Sequence, residues 1–360
     1  MKPEDMLIEL LNVYSPSGSE GEVSRLIRDY MDELGFQNPV IDGQLNVVSV
    51  NGNGIPSVFL CGHEDTVPGI LPVRRDGDLY YGRGAVDAKS SLLALILGAK
   101  RALDNGFNGK LLISAASGEE SDSKGINTIM ENYQGYNYAI FGEPGGAMNI
   151  TAGYKGRILL KVDKRTETHH ASSAWMEVNA IDSLMDFWLA LRSKYGKNKD
   201  FNSITAGITR FQGGEYDNMT PEHASMYIDI RYPKSVSEND LIAEIKSDMK
   251  DILVEDYSFN VENRTEPYIS DIRSPLVKSF KEAIAKNNMS PRLIFKSGSG
   301  DMNNLGNRWH IPVITYGPGD TRLSHTQNEV INIKDFYKSV DVIADSLKIL
   351  SQYSINSNQA

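Results

Sequence analysis

The run Val58-Phe59-Leu60-Cys61 enters Gly62-His63-Glu64-Asp65. Four apolar residues followed by a glycine suit a buried strand, and the polar residues beyond them fall at its carboxyl end. The pattern recurs downstream. Leu111-Leu112-Ile113-Ser114-Ala115-Ala116 runs into Ser117-Gly118-Glu119-Glu120, and Tyr138-Ala139-Ile140-Phe141 runs into Gly142-Glu143-Pro144. Residues 73–80 read as a hairpin turning at Asp76-Gly77, and residues 89–102 as a largely buried helix. Ser19-Glu20-Gly21-Glu22 fits a capping box ahead of a helix that presents Val23, Leu26, Ile27, Tyr30, Met31 and Leu34 on one face. Strands alternating with helices in this way predict an α/β unit with a mostly parallel central sheet.

The middle of the chain has a different order. A strand near 157–163, a helix near 177–195, strands near 204–211 and 224–231, a helix near 238–250 and a strand near 256–262 spell β-α-β-β-α-β, the ferredoxin-like α+β pattern. After about Glu266 the first rhythm resumes, with a helix from Pro275, strands at 292–295 and 313–316, and a last helix from Asp335. The expected architecture is a discontinuous domain of residues 1–153 and 264–360 with residues 154–263 inserted as a second one.

The 360 residues carry 37 Lys and Arg against 47 Asp and Glu, a formal net charge of -10. That acidity argues against general nucleic-acid binding, which needs a basic footprint. The single cysteine, Cys61, excludes an internal disulfide framework. The longest apolar run, from Leu92 to Leu97, is far short of the roughly 20 residues that span a bilayer. The first residues carry acids where a signal peptide would be basic and then apolar. A soluble, cytoplasmic protein with no membrane partner is expected.

Ligands of open α/β sheets bind outside the carboxyl ends of the strands. His63, Asp65, Glu119, Glu120 and Glu143 all fall there. Gly84-Ala85-Val86-Asp87 precedes the helix at Lys89, and Leu323-Ser324-His325 follows the last strand. Two histidines and several carboxylates form a nitrogen and oxygen donor set, suited to zinc, cobalt or manganese. More than four candidate ligands allow two metals and call for a bridging carboxylate, and Asp87 sits mid-chain among them. Asp65, two residues from His63 and on the same side of an extended segment, is placed to accept the ring's second N–H. Divalent metals acidify water, to a pKa of about 7 at zinc, so one of the adjacent pair Glu119 and Glu120 can bind metal while the other acts as base. Taken singly, a strand-end acid is ordinarily a cap or solvated; five such segments in one chain are not explained that way.

His63-Glu64-Asp65-Thr66-Val67-Pro68, Gly82-Arg83-Gly84-Ala85-Val86-Asp87-Ala88-Lys89, Gly118-Glu119-Glu120, Gly142-Glu143-Pro144 and the late His325 resemble the dinuclear zinc amidohydrolases. That family includes acetylornithine deacetylase, succinyl-diaminopimelate desuccinylase, aminoacylase and carboxypeptidase G. The resemblance covers nearly the whole chain and makes the inserted domain a lid and dimerisation domain. It implies two divalent ions, zinc first and cobalt second. His63, Asp87 and Glu143 would hold one ion, and Asp87, Glu120 and His325 the other. Glu119 would be the general base and Asp65 would orient His63. A cis peptide after Asp87 and a homodimer are implied as well.

In the lid, His170 begins His170-Ala171-Ser172-Ser173, where relatives place a histidine that stabilises the oxyanion across a dimer interface. Ala174-Trp175-Met176 stands where relatives usually have a proline, and His169 is a rival for the role. Asn218, beyond Gly213-Gly214, and Gly298 with Ser299 resemble substrate-side loops, and Arg231 a carboxylate-binding arginine. Gly84-Ala85-Val86-Asp87-Ala88-Lys89 and Thr315-Tyr316-Gly317-Pro318-Gly319-Asp320 look most like hydrolases that release lysine or ornithine from an amino-group carrier protein, in lysine and arginine biosynthesis. N-acetyl-lysine or N-acetylornithine are small-molecule equivalents. A dipeptidase or tripeptidase of the same family is the alternative, and an inactive binding module on this fold the alternative of another class. Lys155, Arg157, Lys161, Lys164 and Arg165 form the densest basic cluster. A regular strand puts Lys155, Arg157, Lys161 and Arg165 on one face, either merely solvated or a dock for an acidic carrier.

Overall fold

A computed structural model describes residues 1–197 and 200–357. The chain forms two compact units. The first comprises Met1–Ala152, Ser270–Ile294 and the residues from Arg308 to the end of the described chain; the second comprises Gly153–Ile269 and Phe295–Asn307. Among the described residues no helix is long and apolar enough to cross a membrane.

The sheet of the first unit runs in the order Val40–Ile41, Val47–Asn51, Lys110–Ala116, Ser57–His63, Tyr138–Gly142, Val313–Thr315, Asn149–Tyr154. The central four, from Lys110–Ala116 to Val313–Thr315, are mutually parallel. The outer pairings are antiparallel. Every residue of Ser57–His63 is buried. That is why the strand is a continuous apolar run rather than an alternating one: a central parallel strand is covered on both faces. Parallel direction also brings the ends at His63, Ala116, Gly142 and Thr315 to one edge of the sheet.

The helices Lys89–Asp104 and Pro275–Lys286 pack on the terminal helix Ile333–Ser357. Gly98 permits the close approach of the first and last: a Cβ there would stand 2.6 Å from Ile343 Cγ2. The helix Gly21–Glu33 buries Val23, Ile27, Tyr30 and Met31 as expected, but it does not begin with a capping box. Its N-cap is Glu20, whose side chain makes no cap hydrogen bond. Glu20 Oε1 instead accepts from the backbone N–H of Gly18 at 3.0 Å and of Gly118 at 3.2 Å.

The second unit is a four-stranded antiparallel sheet in the order Thr205–Gly213, His223–Tyr232, Gly156–Arg165, Tyr257–Thr265. With the helices Ala180–Tyr195 and Glu238–Leu253 it follows the expected β-α-β-β-α-β order. Ile158, Leu160 and Val162 alternate into its core beside Met226, Ile228 and Ile230. Phe295–Asn307, read from sequence as part of the flanking domain, belongs with this unit. Lys155 N donates to Lys296 O, and Asn303 Nδ2 donates to Lys155 O and Glu266 O.

On Gly156–Arg165 the expected alternation puts Arg157, Lys161 and Arg165 on the partly exposed side and Lys164 on the buried one, but Lys155 is not part of that face. Lys155 precedes the strand and is fully buried, its Nζ donating to the carbonyls of Asp200 at 3.0 Å and Ser203 at 2.5 Å. Lys164 is buried with its Nζ on the carbonyls of Leu253 and Glu255. Lys161 pairs with Asp163 and Arg157 with Asp229. Loops supply carbonyls to two of these cations; Asp163 pairs with a third, and Arg157 shares Asp229 with Arg231.

Gly98→Val tests the packing of the long helices. Overpacking of this kind costs about 1–3 kcal/mol. The unfolding free energy from urea titration is expected to fall by that amount, as a lower midpoint at unchanged slope; an unchanged midpoint would show that the helices have room to part.

Candidate metal centre

His63 closes the strand Ser57–His63, and the period-two geometry beyond it sends His63 and Asp65 one way and Glu64 the other. Glu64 is buried, with Ser24 Oγ donating to its Oε1 at 2.6 Å. His63 Nδ1 donates to the backbone carbonyl of Asp65 at 2.9 Å, which fixes the tautomer and leaves Nε2 as the free lone pair. The carboxylate of Asp65, expected to accept that N–H, stands 3.6 Å away. It is occupied elsewhere. Its oxygens accept from the backbone N–H groups of Glu119 and Glu120, each at 3.1 Å, and from Ser17 Oγ at 2.7 Å. Asp65 therefore orients His63 through its main chain and the Glu119-Glu120 turn through its side chain.

Asp87 lies between the two histidines. Its Oδ1 is 3.3 Å from His63 Nε2 and its Oδ2 3.2 Å from His325 Nε2. His325 Nε2 is also 2.8 Å from Glu120 Oε1, and His63 Nε2 is 4.0 Å from Glu143 Oε1. The donor atoms of His63, Asp87 and Glu143 lie within 4.8 Å of one another, as do those of Asp87, Glu120 and His325. A third such group is His63, Glu119 and Glu120, which sets Glu119 beside the other ligands. The Asp87–Ala88 peptide is cis.

The charges agree with this geometry. Burial alone would push the Asp87 carboxyl up, but hydrogen bonds with His325 and His63 outweigh it and hold it well below the usual carboxylate range. Burial disfavours a charged His63, yet Asp65 and Asp87 keep the ring well above its ordinary value. Hydrogen bonds to Asp87 and Glu120 raise His325 to about 10. So many carboxylates around two imidazoles create a field that demands positive charge. Divalent ions supply it while leaving the Nε2 lone pairs as ligands. Nitrogen and oxygen donors without sulfur suit zinc or cobalt, and Asp87 presents one oxygen to each half of the site. The residues present therefore fit a dinuclear centre.

The second unit places the other predicted residues. His170 is exposed, and its Nδ1 accepts from Ser172 N at 3.2 Å and lies 2.8 Å from Ser172 Oγ. The proton of the neutral ring then sits on Nε2. His169 is partly buried, with Nε2 3.5 Å from Glu177 Oε2. Asn218 O accepts from Ala171 N, so the Asn218 loop pairs with the His170 segment. Arg231 is held by Asp229, and its Nη1 donates to Ser299 Oγ at 3.0 Å. Gly298, beside Ser299, packs over Tyr154: a Cβ there would lie 3.7 Å from the ring.

The profile of "Peptidase family M20/M25/M40" matches residues 59–349. The chain belongs to this M20 family. It is 31% identical over 352 residues to the LysW-lysine/LysW-ornithine hydrolase of Sulfurisphaera tokodaii, covering 97% of this chain and 96% of that one. Among solved structures, a tripeptidase from Staphylococcus aureus superposes with TM-score 0.84 at 20% identity, covering 97% of this chain and 98% of that one. A dinuclear metal-binding M20 peptidase from Bacillus subtilis superposes with TM-score 0.73 at 14% identity, over 97% and 98% of the two chains. As an M20 protein the chain is a metal-dependent hydrolase.

One residue of this M20 centre has no counterpart in the sequence reading. The Glu329 side chain is fully buried. Its Oε2 accepts from the backbone N–H groups of Gly84 at 3.0 Å, Val86 at 3.2 Å and Asp87 at 3.3 Å, and its Oε1 pairs with Arg83. Arg83 also donates to Thr326 O at 3.3 Å, next to His325. Glu329 thus ties the loop that carries Asp87 to the loop that carries His325. A lone acid four residues beyond a histidine has no periodicity to betray such a role.

Glu329→Gln keeps the shape and removes the charge. Loss of a group that orients metal ligands typically costs about 10–100-fold in metal affinity, and that loss is expected in competition with a chromophoric chelator. Unchanged affinity in a folded variant would leave Glu329 a purely structural role.

Proposed function

We propose that the protein hydrolyses an amide bond to release lysine or ornithine from an amino-group carrier protein, and that it accepts N-acetyl-lysine or N-acetylornithine as small equivalents. Asp87, shared between His63 and His325 with Glu119 alongside, carries the hydrolytic part of this reading. The relative from Sulfurisphaera tokodaii supports the substrate, because its name states that chemistry and the likeness runs over nearly both whole chains. The tripeptidase resembles the chain at 20% identity, which speaks for a common fold and leaves the carrier reading preferred.

In this reading His63, Asp87 and Glu143 hold one divalent ion, and Asp87, Glu120 and His325 the other, with zinc or cobalt as the metal. The ions, when bound, polarise the amide carbonyl and acidify the attacking water. The chain does the rest. Glu119 takes the proton from the water and delivers it to the leaving amine, the ordinary exchange of a general base that becomes a general acid. Asp65 holds the Glu119-Glu120 turn through its backbone N–H groups, which keeps that carboxylate in reach. His170, with its proton on Nε2, serves as a donor to the negative charge that develops on the carbonyl oxygen. We assign that service to a neighbouring copy in a cytoplasmic homodimer, the second unit being the dimerisation element.

A substrate panel of carrier-linked lysine, N-acetyl-lysine, N-acetylornithine and simple dipeptides, run with added zinc or cobalt, is expected to give the highest kcat/KM on the lysine and ornithine amides. Faster turnover of dipeptides would establish the peptidase reading instead. Glu119→Gln should retain its metals and lose about 10²–10⁴-fold in kcat; a metal-replete variant of near wild-type rate would remove Glu119 from the mechanism. Mixing Glu119→Gln with His170→Ala should restore part of the lost activity through heterodimers, which a strictly monomeric active enzyme could not do.

A further inference from the structure

Glu20 is buried, and among the described residues no lysine, arginine or histidine pairs with its carboxylate. A buried charge without a partner is costly unless hydrogen bonds satisfy it. The carboxylate does not cap the helix that follows it. Its Oε1 instead collects two backbone N–H groups, that of Gly18 in its own loop and that of Gly118 immediately before Glu119 and Glu120.

The turn that begins at Gly118 needs such an anchor. Gly118 takes a positive φ of 68° just beyond the strand Lys110–Ala116. A cleft of about 270 Å³, lined by Glu20, Gln44, Gly118, Ser121 and Asp122 among others, adjoins it. Side chains do not fill that flank, so hydrogen bonds must hold it. Three successive N–H groups do so: Gly118 donates to Glu20, and Glu119 and Glu120 donate to the two oxygens of Asp65. Residues 15–20 reach both anchors, because Ser17 Oγ donates to Asp65 Oδ2 at 2.7 Å. The same segment is fastened beside His63. Thr66 N donates to Ser15 O, and Ser15 Oγ donates to Glu64 O, each at 2.9 Å.

We propose that Glu20 is a positioning residue. By accepting the Gly118 N–H it fixes the hinge of the Glu119-Glu120 turn, and with it the place of the Glu119 carboxylate. The hinge stands on the hydrogen bonds; its catalytic consequence rests on the reading of Glu119 as general base.

The test has an arm for each. In the first, amide hydrogen exchange of the zinc-loaded full-length protein is followed by NMR, which reads local opening. Glu20→Ala should speed exchange at Gly118, Glu119 and Glu120 by about 10–100-fold, the range of a lost hydrogen bond to a charged group, and leave the strand Lys110–Ala116 protected. Glu20→Gln keeps an acceptor oxygen and should show a smaller change at the same three amides; it carries the test if the alanine variant does not fold. Unchanged exchange at Glu119 and Glu120, or equal acceleration along the strand, overturns the proposal. In the second arm, on N-acetyl-lysine, Glu20→Ala should lower kcat by up to about 100-fold, the cost of an ångström of misplacement, at unchanged KM. Added to Glu119→Gln it should cost nothing more, since the group it positions is gone. Losses that multiply overturn the catalytic role and leave Glu20 a structural one. A Glu119→Gln protein of wild-type rate overturns the base reading and the catalytic role together, while the exchange result still decides the hinge.

Discussion

The centre depends on one carboxylate serving two histidines. Asp87 offers Oδ1 to His63 and Oδ2 to His325, residues that come from opposite ends of the sequence. For that division to hold, the Gly82–Asp87 loop must be rigid, and Glu329 makes it so by accepting three of its backbone N–H groups. The helix that starts at Lys89 anchors the other side. Lys89 is buried, and its Nζ donates to the carbonyls of Leu10 and Val13 at the end of the helix Pro3–Asn12. Buried polar groups of this kind are costly unless satisfied. Here each is satisfied by backbone, which converts desolvation cost into a defined loop geometry.

The same economy recurs at Asp65. One carboxylate receives the N–H groups of both Glu119 and Glu120, so the proposed base and one proposed ligand are fixed by a single anchor. The neighbouring main-chain carbonyl sets the His63 tautomer. In the second unit Asp229 plays the corresponding part for two arginines. Throughout, a carboxylate in the second layer positions a group in the first, and the charge left over is opposite in sign in the two units. The centre around Asp87 carries a negative excess, and the pair Arg157 and Arg231 a positive one.

The fold was legible because its two periodicities differ. Central strands such as Ser57–His63 are buried on both faces and read as unbroken apolar runs, whereas Gly156–Arg165 alternates residue by residue. Motifs at strand ends followed from the first pattern. What failed to show were interactions that need register or distant loops. Arg157 meets Arg231 only through strand pairing. Lys155 and Lys164 look like surface cations, and nothing local announces the carbonyls of Asp200, Ser203, Leu253 and Glu255 that bury them. Asp229 was within reach, since Asp229 and Arg231 alternate with Ile228 and Ile230 on one strand. Ser19-Glu20-Gly21-Glu22 misled because a capping box is a local signal, and Glu20 is claimed instead by the backbone of Gly118.

In the proposed centre Asp87 joins two metal positions. The direct measurement is the metal content of chains saturated with zinc and freed of excess, by elemental analysis, for the wild type and for Asp87→Ala. Two ions per wild-type chain are expected. In a folded Asp87→Ala chain both positions should weaken, because each loses a ligand. A wild-type chain that binds a single ion, or an Asp87→Ala chain that holds two as tightly as before, would contradict that shared ligation.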